Sequence, residues 1–402
     1  MNSYCEKIRK GLKDMRIILH SISYFAILVL LTGCWDKVEI NDQAIITATA
    51  LDKDEDGQIE LSLQIFIPKS FSAGGQGGPG SSGPVTFNTS QKGDNIADAL
   101  SKVQGKLSRK LFWGQCKVFI FGEDLAKDGI QNHIDYLLRQ PEPRERALMF
   151  VAKKAKNVLE MPAILERFSS EGIKEQASLT TGIKVTLQDL DEMLTGKSNA
   201  AAIPYLQISQ DREMDEQTKK VAHIYGTAVF KNDKMIGKMS ERETRGLLWL
   251  RDELKDYTVT LQVENHDGEI SLNPVSAEIN MIPKIHNNNW KMIVKIKTEG
   301  SIVLNTTDFE ITSSKTVNRI EKAYRKKIHE RVKLAMDLLQ DKYNADITDF
   351  AQKFYRKYPK EWRSVEKHWS NKFSEVEVVI DVEAHVKRQG YINNTAGRKK
   401  SE

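Results

Sequence analysis

The chain has 402 residues with a formal net charge of +5, and 29% of its residues are charged. The first 16 residues hold five cations (Lys7, Arg9, Lys10, Lys13, Arg16) against two anions (Glu6, Asp14), so the remainder of the chain is close to neutral. A near-balanced surface leaves no basic excess to neutralise phosphates, which argues against a nucleic-acid partner, and the length calls for more than one domain.

The basic start leads into IILHSISYFAILVLL (17–31), 15 residues without a formal charge, and then Thr32-Gly33-Cys34. Basic, apolar and small residues in that order form a secretory signal peptide. The run is shorter than the ~20 residues a helix needs to span the hydrocarbon core. Leu31-Thr32-Gly33-Cys34 has the form of a lipobox: a bulky aliphatic, two small residues that can enter a peptidase cleft, and a thiol that can be alkylated. The expectation is a signal peptide over 1–33, a cut between Gly33 and Cys34, and an S-diacylglyceryl, N-acyl (palmitate-type) modification on Cys34. Two acyl chains at about 0.8 kcal/mol per buried CH₂ anchor stably where one is marginal. Of the three cysteines, Cys5 leaves with the leader and Cys34 is lipidated. Cys116 then has no partner for an intramolecular disulfide, and the chain must be held by packing.

AIITATALDKDEDGQIELSLQIFIP (44–68) reads as a hairpin around the acidic turn 52–57, which lacks EF-hand ligand spacing and is expected to be solvated. SAGGQGGPGSSGP (72–84) has no GK[ST] or strand-bounded GxGxxG and reads as a flexible loop. GDNIADALSKVQGKL (93–107) is a helix with Asp94 as the expected cap. LFWGQCKVFIFG (111–122) is a buried strand, LAKDGIQNHIDYLLRQ (125–140) a helix, and RALMFVAK (146–153) a strand. That alternation predicts an α/β layer over 34–175. A small α+β domain over 180–256 comes next: a helix capped by Thr186, a strand over 201–208, a hairpin turning at 231–234, and a helix over 243–254. The third domain, 257–391, adds long strands, a helix over about 314–342 with Ile320, Tyr324, Ile328, Val332 and Met336 in one stripe, and a last alternating strand at 375–387. Residues 392–402 form a polar tail. The expected fold class is therefore α/β and α+β, three mixed sheet-plus-helix domains after a lipoprotein signal peptide.

No chemistry-bearing motif stands out. There is no HExxH, CxxC or GxSxG, and no histidine pair at ligand spacing, so neither metal nor cofactor is expected beyond the covalent lipid. Cys116 reads as a small buried hydrophobe. Arg139, Arg144 and Arg146 around PEPRER, and Trp362 in the aromatic group with Trp369 and Phe373, are the candidate partner surface. A charged turn and the cap of a helix–sheet core are the competing readings.

Several stretches resemble one family in the right order: LTGCWDKVEIND, the glycine-rich insert, KLFWGQCKVFIFGEDLAKDGI (110–130), IDYLLRQPEPRER (134–146), HIYGTAVFKNDKMIGKMSERETRGLLWL (223–250) and ADITDFAQKFYRKYPKEW (345–362). The chain resembles the C subunit (GerAC-like) of bacterial spore nutrient germinant receptors. Gln115 departs from the pattern, standing where the family's histidine after Trp-Gly is expected. The resemblance implies a non-catalytic lipoprotein on the outer face of the spore inner membrane. Its partners would be an A-type and a B-type integral-membrane subunit, acting with it in nutrient-triggered germination. The alternatives are a solute-binding lipoprotein that captures the nutrient itself and a cell-envelope hydrolase.

Overall fold

The computed structural model describes residues 15–24, 39–67, 85–163, 165–179, 182–211, 219–254, 257–263, 266–307, 311 and 313–388. The Gly33–Cys34 cut, the glycine-rich stretch 72–84 and the tail 392–402 lie outside these residues. The N-terminal unit, residues 1–44, contains a helix at 15–24 (α1) whose apolar side chains are exposed, Ile17 and Leu19 by more than half. The rest, from Ile45, forms a second unit.

Among the described residues of that second unit there are two sheets. In the larger, β1 (Gln43–Lys53), β2 (Ile59–Phe66) and β3 (Thr86–Gly93) run antiparallel at one end. Acting as a cap, Asn95 accepts from Asp98 N and opens α2 (Ile96–Gln104), one residue after the expected Asp94. β4 (Lys110–Phe112) pairs with β1. The apolar run 111–122 is not one strand, because Cys116 N donates to Trp113 O and turns the chain before β5 (Val118–Gly122).

The helix expected over 125–140 is two, α3 (Glu123–Asp128) and α4 (Gln131–Arg139). Gly129 separates them at φ +138°, a conformation that L side chains avoid, and a Cβ there would lie 2.5 Å from Asp233 Oδ2. β6 (Leu148–Ala152) is the next strand, and all five residues of both β5 and β6 are buried. Strands covered on both faces carry continuous apolar runs, which explains VFIFG and LMFVA.

The helices α5 (Ala155–Leu159), α6 (Ser169–Ser178) and α7 (Leu187–Thr195) come next, α7 opening with a Thr186/Asp189 capping box. Then β7 (Ala200–Asp211), β8 (Lys219–Lys231) and β9 (Lys234–Met239) extend the sheet, in the order β3-β2-β1-β5-β6-β7-β8-β9. Pairing is parallel from β1 through β5 and β6 to β7 and antiparallel beyond. The strands of the 180–256 block thus hydrogen-bond into the same sheet as β1. On one face, Ala48, Ala50, Val118, Ile120, Leu148 and Phe150 pack with Val158, Leu159 and Ile173 of α5 and α6.

α8 (Glu241–Leu250) starts two residues earlier than expected because Ser240 and Glu243 form a capping box. The smaller sheet is β10 (Val259–Leu261), β11 (Ile270–His286), β12 (Asn289–Asn305) and β13 (Glu377–Arg388), with β13 parallel to β12. The 24-residue α9 (Ser314–Asp337) lies on its inner face through the predicted stripe. Tyr324 meets the sheet at Gly300. The last strand keeps its expected alternation: Ala384 is buried and Val378, Ile380, Val382 and Val386 are half-buried, between exposed neighbours. On the outer face Lys291–Glu377, Lys297–Glu383 and Lys387–Glu299 pair across strands at 2.8, 3.5 and 2.6 Å. Exposed pairs of this kind contribute about 0–1 kcal/mol each and serve solubility more than stability.

The two sheets share no strand, and α8 against α9 joins them. A Cβ on Gly246 would stand 2.2 Å from the Arg331 carbonyl oxygen and 2.8 Å from Ala335 Cβ, so the helices touch backbone to backbone. Gly246→Ala is therefore expected to shift the two helices apart and lower the unfolding free energy by about 1–3 kcal/mol, read as a reduced urea midpoint. An unchanged midpoint would show that the crossing is loose.

Candidate functional site

The acidic stretch 52–57 begins within β1, and its first residue has a structural role. Asp52 is 3% exposed, and its carboxylate accepts from the backbone of Ala155 (2.9 Å) and Lys156 (2.8 Å) at the start of α5. It caps that helix from about a hundred residues away, against the expectation of a fully solvated turn. Gly122 leaves room for it, since a Cβ there would meet Asp52 Oδ1 at 2.2 Å. Burial raises the Asp52 pKa, and the two amides oppose the rise. Asp54, the next acid in the turn, pairs with Lys92 at 2.8 Å.

A second hub sits where α3 meets β7 and β9. Glu123 accepts from Lys127 (2.6 Å), the Tyr205 hydroxyl (2.6 Å) and Lys238 (3.3 Å). Burial pushes its carboxyl up, but Lys127, Tyr205 and Lys238 together outweigh it and hold the pKa down at about 2.

The third hub organises the C-terminal helices. Asp346 is fully enclosed and accepts five hydrogen bonds. Three come from the backbone of Thr348 (3.1 Å), Phe350 (3.2 Å) and Ala351 (2.7 Å), one from the Thr348 hydroxyl (2.9 Å), and one from Trp369 Nε1 (3.0 Å). It thus caps α10 (Phe350–Lys357), whose flanking Asp349 is left-handed and makes no side-chain cap. Burial raises the Asp346 pKa, opposed by its donors. Trp369, at the head of α12 (Trp369–Glu375), carries that bond into an aromatic cluster. Its ring centroid lies 6.1 Å from Trp290, 5.8 Å from Phe354 and 4.8 Å from Trp362.

Trp362 lies on α11 (Pro359–Val365) and is 1% exposed. It has no surface to offer a partner and belongs to the cap of the helix–sheet core, which corrects its place in the candidate surface. Arg139, at the end of α4, is exposed and paired with Asp135 at 2.6 Å. Arg144 and Arg146 are exposed in the segment before β6. The three arginines therefore stand on one short stretch of surface, without Trp362.

Cys116 is completely buried, 3.5 Å from the Thr49 hydroxyl, and burial pushes its thiol up to about 12. A thiol in that state is not a nucleophile. Its neighbour Gln115 lines a cavity of about 330 Å³ with Phe66, Phe168 and Glu171. Among the described residues no three His, Cys, Asp or Glu side chains are placed to hold a metal ion. Asp52 and Glu123 each join elements far apart in sequence, whereas Asp346 caps the helix that follows it within five residues and reaches Trp369 only 23 residues on.

Two family models match the chain in tandem. One, described as "Spore germination protein N-terminal domain", covers residues 36–208, and the other, "Spore germination B3/ GerAC like, C-terminal", covers 225–390. The chain belongs to the GerAC-like family of spore germination proteins. Spore germination protein KC of Bacillus subtilis (strain 168) is 28% identical over 384 residues, covering 91% of this chain and 94% of that protein. Spore germination protein B3 of the same organism is 24% identical, covering 90% and 95%. The crystal structure of the GerBC protein matches with a TM-score of 0.55 at 20% identity, covering 85% of this chain and 97% of that one. That likeness establishes the mixed α/β and α+β fold.

Two measurements check the hubs. Asp346→Ala would strand three backbone amides and the Trp369 N–H in the interior, and is expected to cost more than about 3 kcal/mol in urea unfolding. Glu123 has a lowered folded pKa, so its contribution is full above the ordinary value near ~4.3 and is lost as pH falls through about 2. Glu123→Gln should therefore cost about 1–2 kcal/mol at neutral pH, after discounting for partial exposure, and the deficit should close between pH 4 and 2. A deficit that does not change with pH would rule out the ionic origin.

Proposed function

We propose that the chain is the lipoprotein subunit of a spore germinant receptor. A diacylglyceryl group on Cys34 would hold it to the outer face of the spore inner membrane. There it would act without catalysis of its own, beside two integral-membrane subunits, in nutrient-triggered germination. One observation carries the reading. The family-matched region starts at residue 36, two residues past the cysteine of Leu31-Thr32-Gly33-Cys34, which supports a leader that ends there. The exposed apolar side chains of α1 support it, since such a surface suits a peptidase or lipid environment better than water. Among the described residues no helix is long and apolar enough to cross a membrane. A covalent lipid would supply the attachment and keep the subunit at high local concentration beside its partners without a large interface.

The non-catalytic part rests on the chemistry of the hubs. The buried carboxylates are consumed in capping and bridging, and the Cys116 thiol is enclosed.

Spores carrying Cys34→Ala, scored for nutrient-triggered dipicolinate release with inner-membrane fractions blotted for the chain, provide the test. The expected result is loss of the chain from the membrane and loss of release. Normal release with the chain gone from the membrane would contradict the proposal.

A further inference from the structure

The positive charge of the folded part is unevenly placed. α9 carries eight cations, Lys315, Arg319, Lys322, Arg325, Lys326, Lys327, Arg331 and Lys333, against Glu321, Glu330 and Asp337. Ile320, Tyr324, Ile328 and Val332 occupy its buried side, so the cations crowd the remaining surface. There, α9 forms one wall of a cavity of about 690 Å³. Arg319, Lys322, Lys326 and Lys327 line that wall, and Leu261 and Val263 give an apolar patch opposite. Arg319 Nη1 lies 3.4 Å from His266 Nε2, which also borders the cavity. Glu269 and Glu330 face it as well, leaving a formal +2 with His266 neutral. Lys322 and Lys327 form no ion pair among the described residues.

One turn beyond Lys327, Arg331 extends the strip. Its guanidinium carbon stands 4.9 Å from the Tyr257 ring, and that of Arg245 4.5 Å from the same ring. Arg331 Nη1 is enclosed and accepted by no oxygen among the described residues. Burial, then Arg245 and Arg242, bring its pKa down to about 10. Arg331 lies outside the lining of the cavity, and an anion there is favoured by the four α9 cations gathered along its wall against two carboxylates.

We propose that the cavity between α9 and residues 260–263, His266 and Glu269 binds a phosphate monoester or phosphodiester carrying a small organic group. The α9 cations would hold the phosphate oxygens, and Leu261, Val263 and Ala323 would lie against the organic part. Bare phosphate would leave most of this volume empty. The chemistry is shared by soluble phosphorylated metabolites and by anionic lipid headgroups. The site goes beyond the anchoring reading and does not depend on it.

The test is calorimetric titration of the full-length protein in a neutral detergent. Three probes are used: glycerol 3-phosphate, dihexanoyl phosphatidylglycerol and, as a control of no net charge, dihexanoyl phosphatidylcholine. Binding of glycerol 3-phosphate would identify a soluble source, and binding of the phosphatidylglycerol alone would identify a headgroup. In either case Lys322→Gln/Lys327→Gln is expected to weaken binding by about tenfold or more. Lys153→Gln/Lys360→Gln, which removes equal charge from exposed positions outside the cavity, should bind as wild type does. The replaced side chains belong to no core, so a thermal melt of each variant is expected to match wild type; Arg319→Gln repeats the test if one does not. Absence of binding by both anionic probes, or binding that both double variants weaken equally, overturns the proposal.

Discussion

The contact on which the rest depends is the crossing of α8 and α9 at Gly246, where one helix meets the backbone of the other. The large sheet ends at β9 and the small sheet begins at β10, with no strand in common. The close helix crossing joins them, and a bulkier residue at 246 would open the joint. Two hydrogen bonds reinforce it: Tyr343 donates to Lys238 O at 2.8 Å, and Arg251 donates to Ile347 O at 3.2 Å. Cys116 is buried and free, so the described part of the chain has no covalent staple. Interlocking of this kind lets one attachment point carry both sheets together.

Much of this was legible because it is local. The α9 stripe, the alternation in β13, the Thr186 cap and the Lys231–Lys234 hairpin each arise from spacing within a few residues. The breaks were less visible. Gly129 ends α3 because of a close approach to the β8–β9 turn, about a hundred residues downstream, and no periodicity marks that. The turn at Trp113–Cys116 lies inside a run that is apolar except for Gln115 and Lys117. Asp52 was expected to be solvated with the rest of its turn, since its partners are backbone amides supplied by a helix about a hundred residues away. The 180–256 block read as a small α+β unit from its own run of helices and strands, yet its strands complete a sheet begun at β1. Trp362 shows the same limit: an aromatic among charges can face either way, and here it is buried against the rings of Trp369 and Tyr355.

Function was legible in a different way. Among the described residues no three His, Cys, Asp or Glu side chains are placed to hold a metal ion, and the buried carboxylates hold elements together. What points to a role is the lipobox, the order of the family blocks behind it and the character of the surfaces: an ion-paired outer sheet face, three arginines before β6, and a basic cavity along α9.

The central claim is the lipid on Cys34. Its most direct test is mass spectrometry of the N-terminal peptide of the protein extracted from spore inner membranes. The reading requires a mature chain beginning at Cys34 with the added mass of a thioether-linked diacylglyceryl group. A peptide that retains residues before Cys34, or a Cys34 with a free thiol, would contradict it.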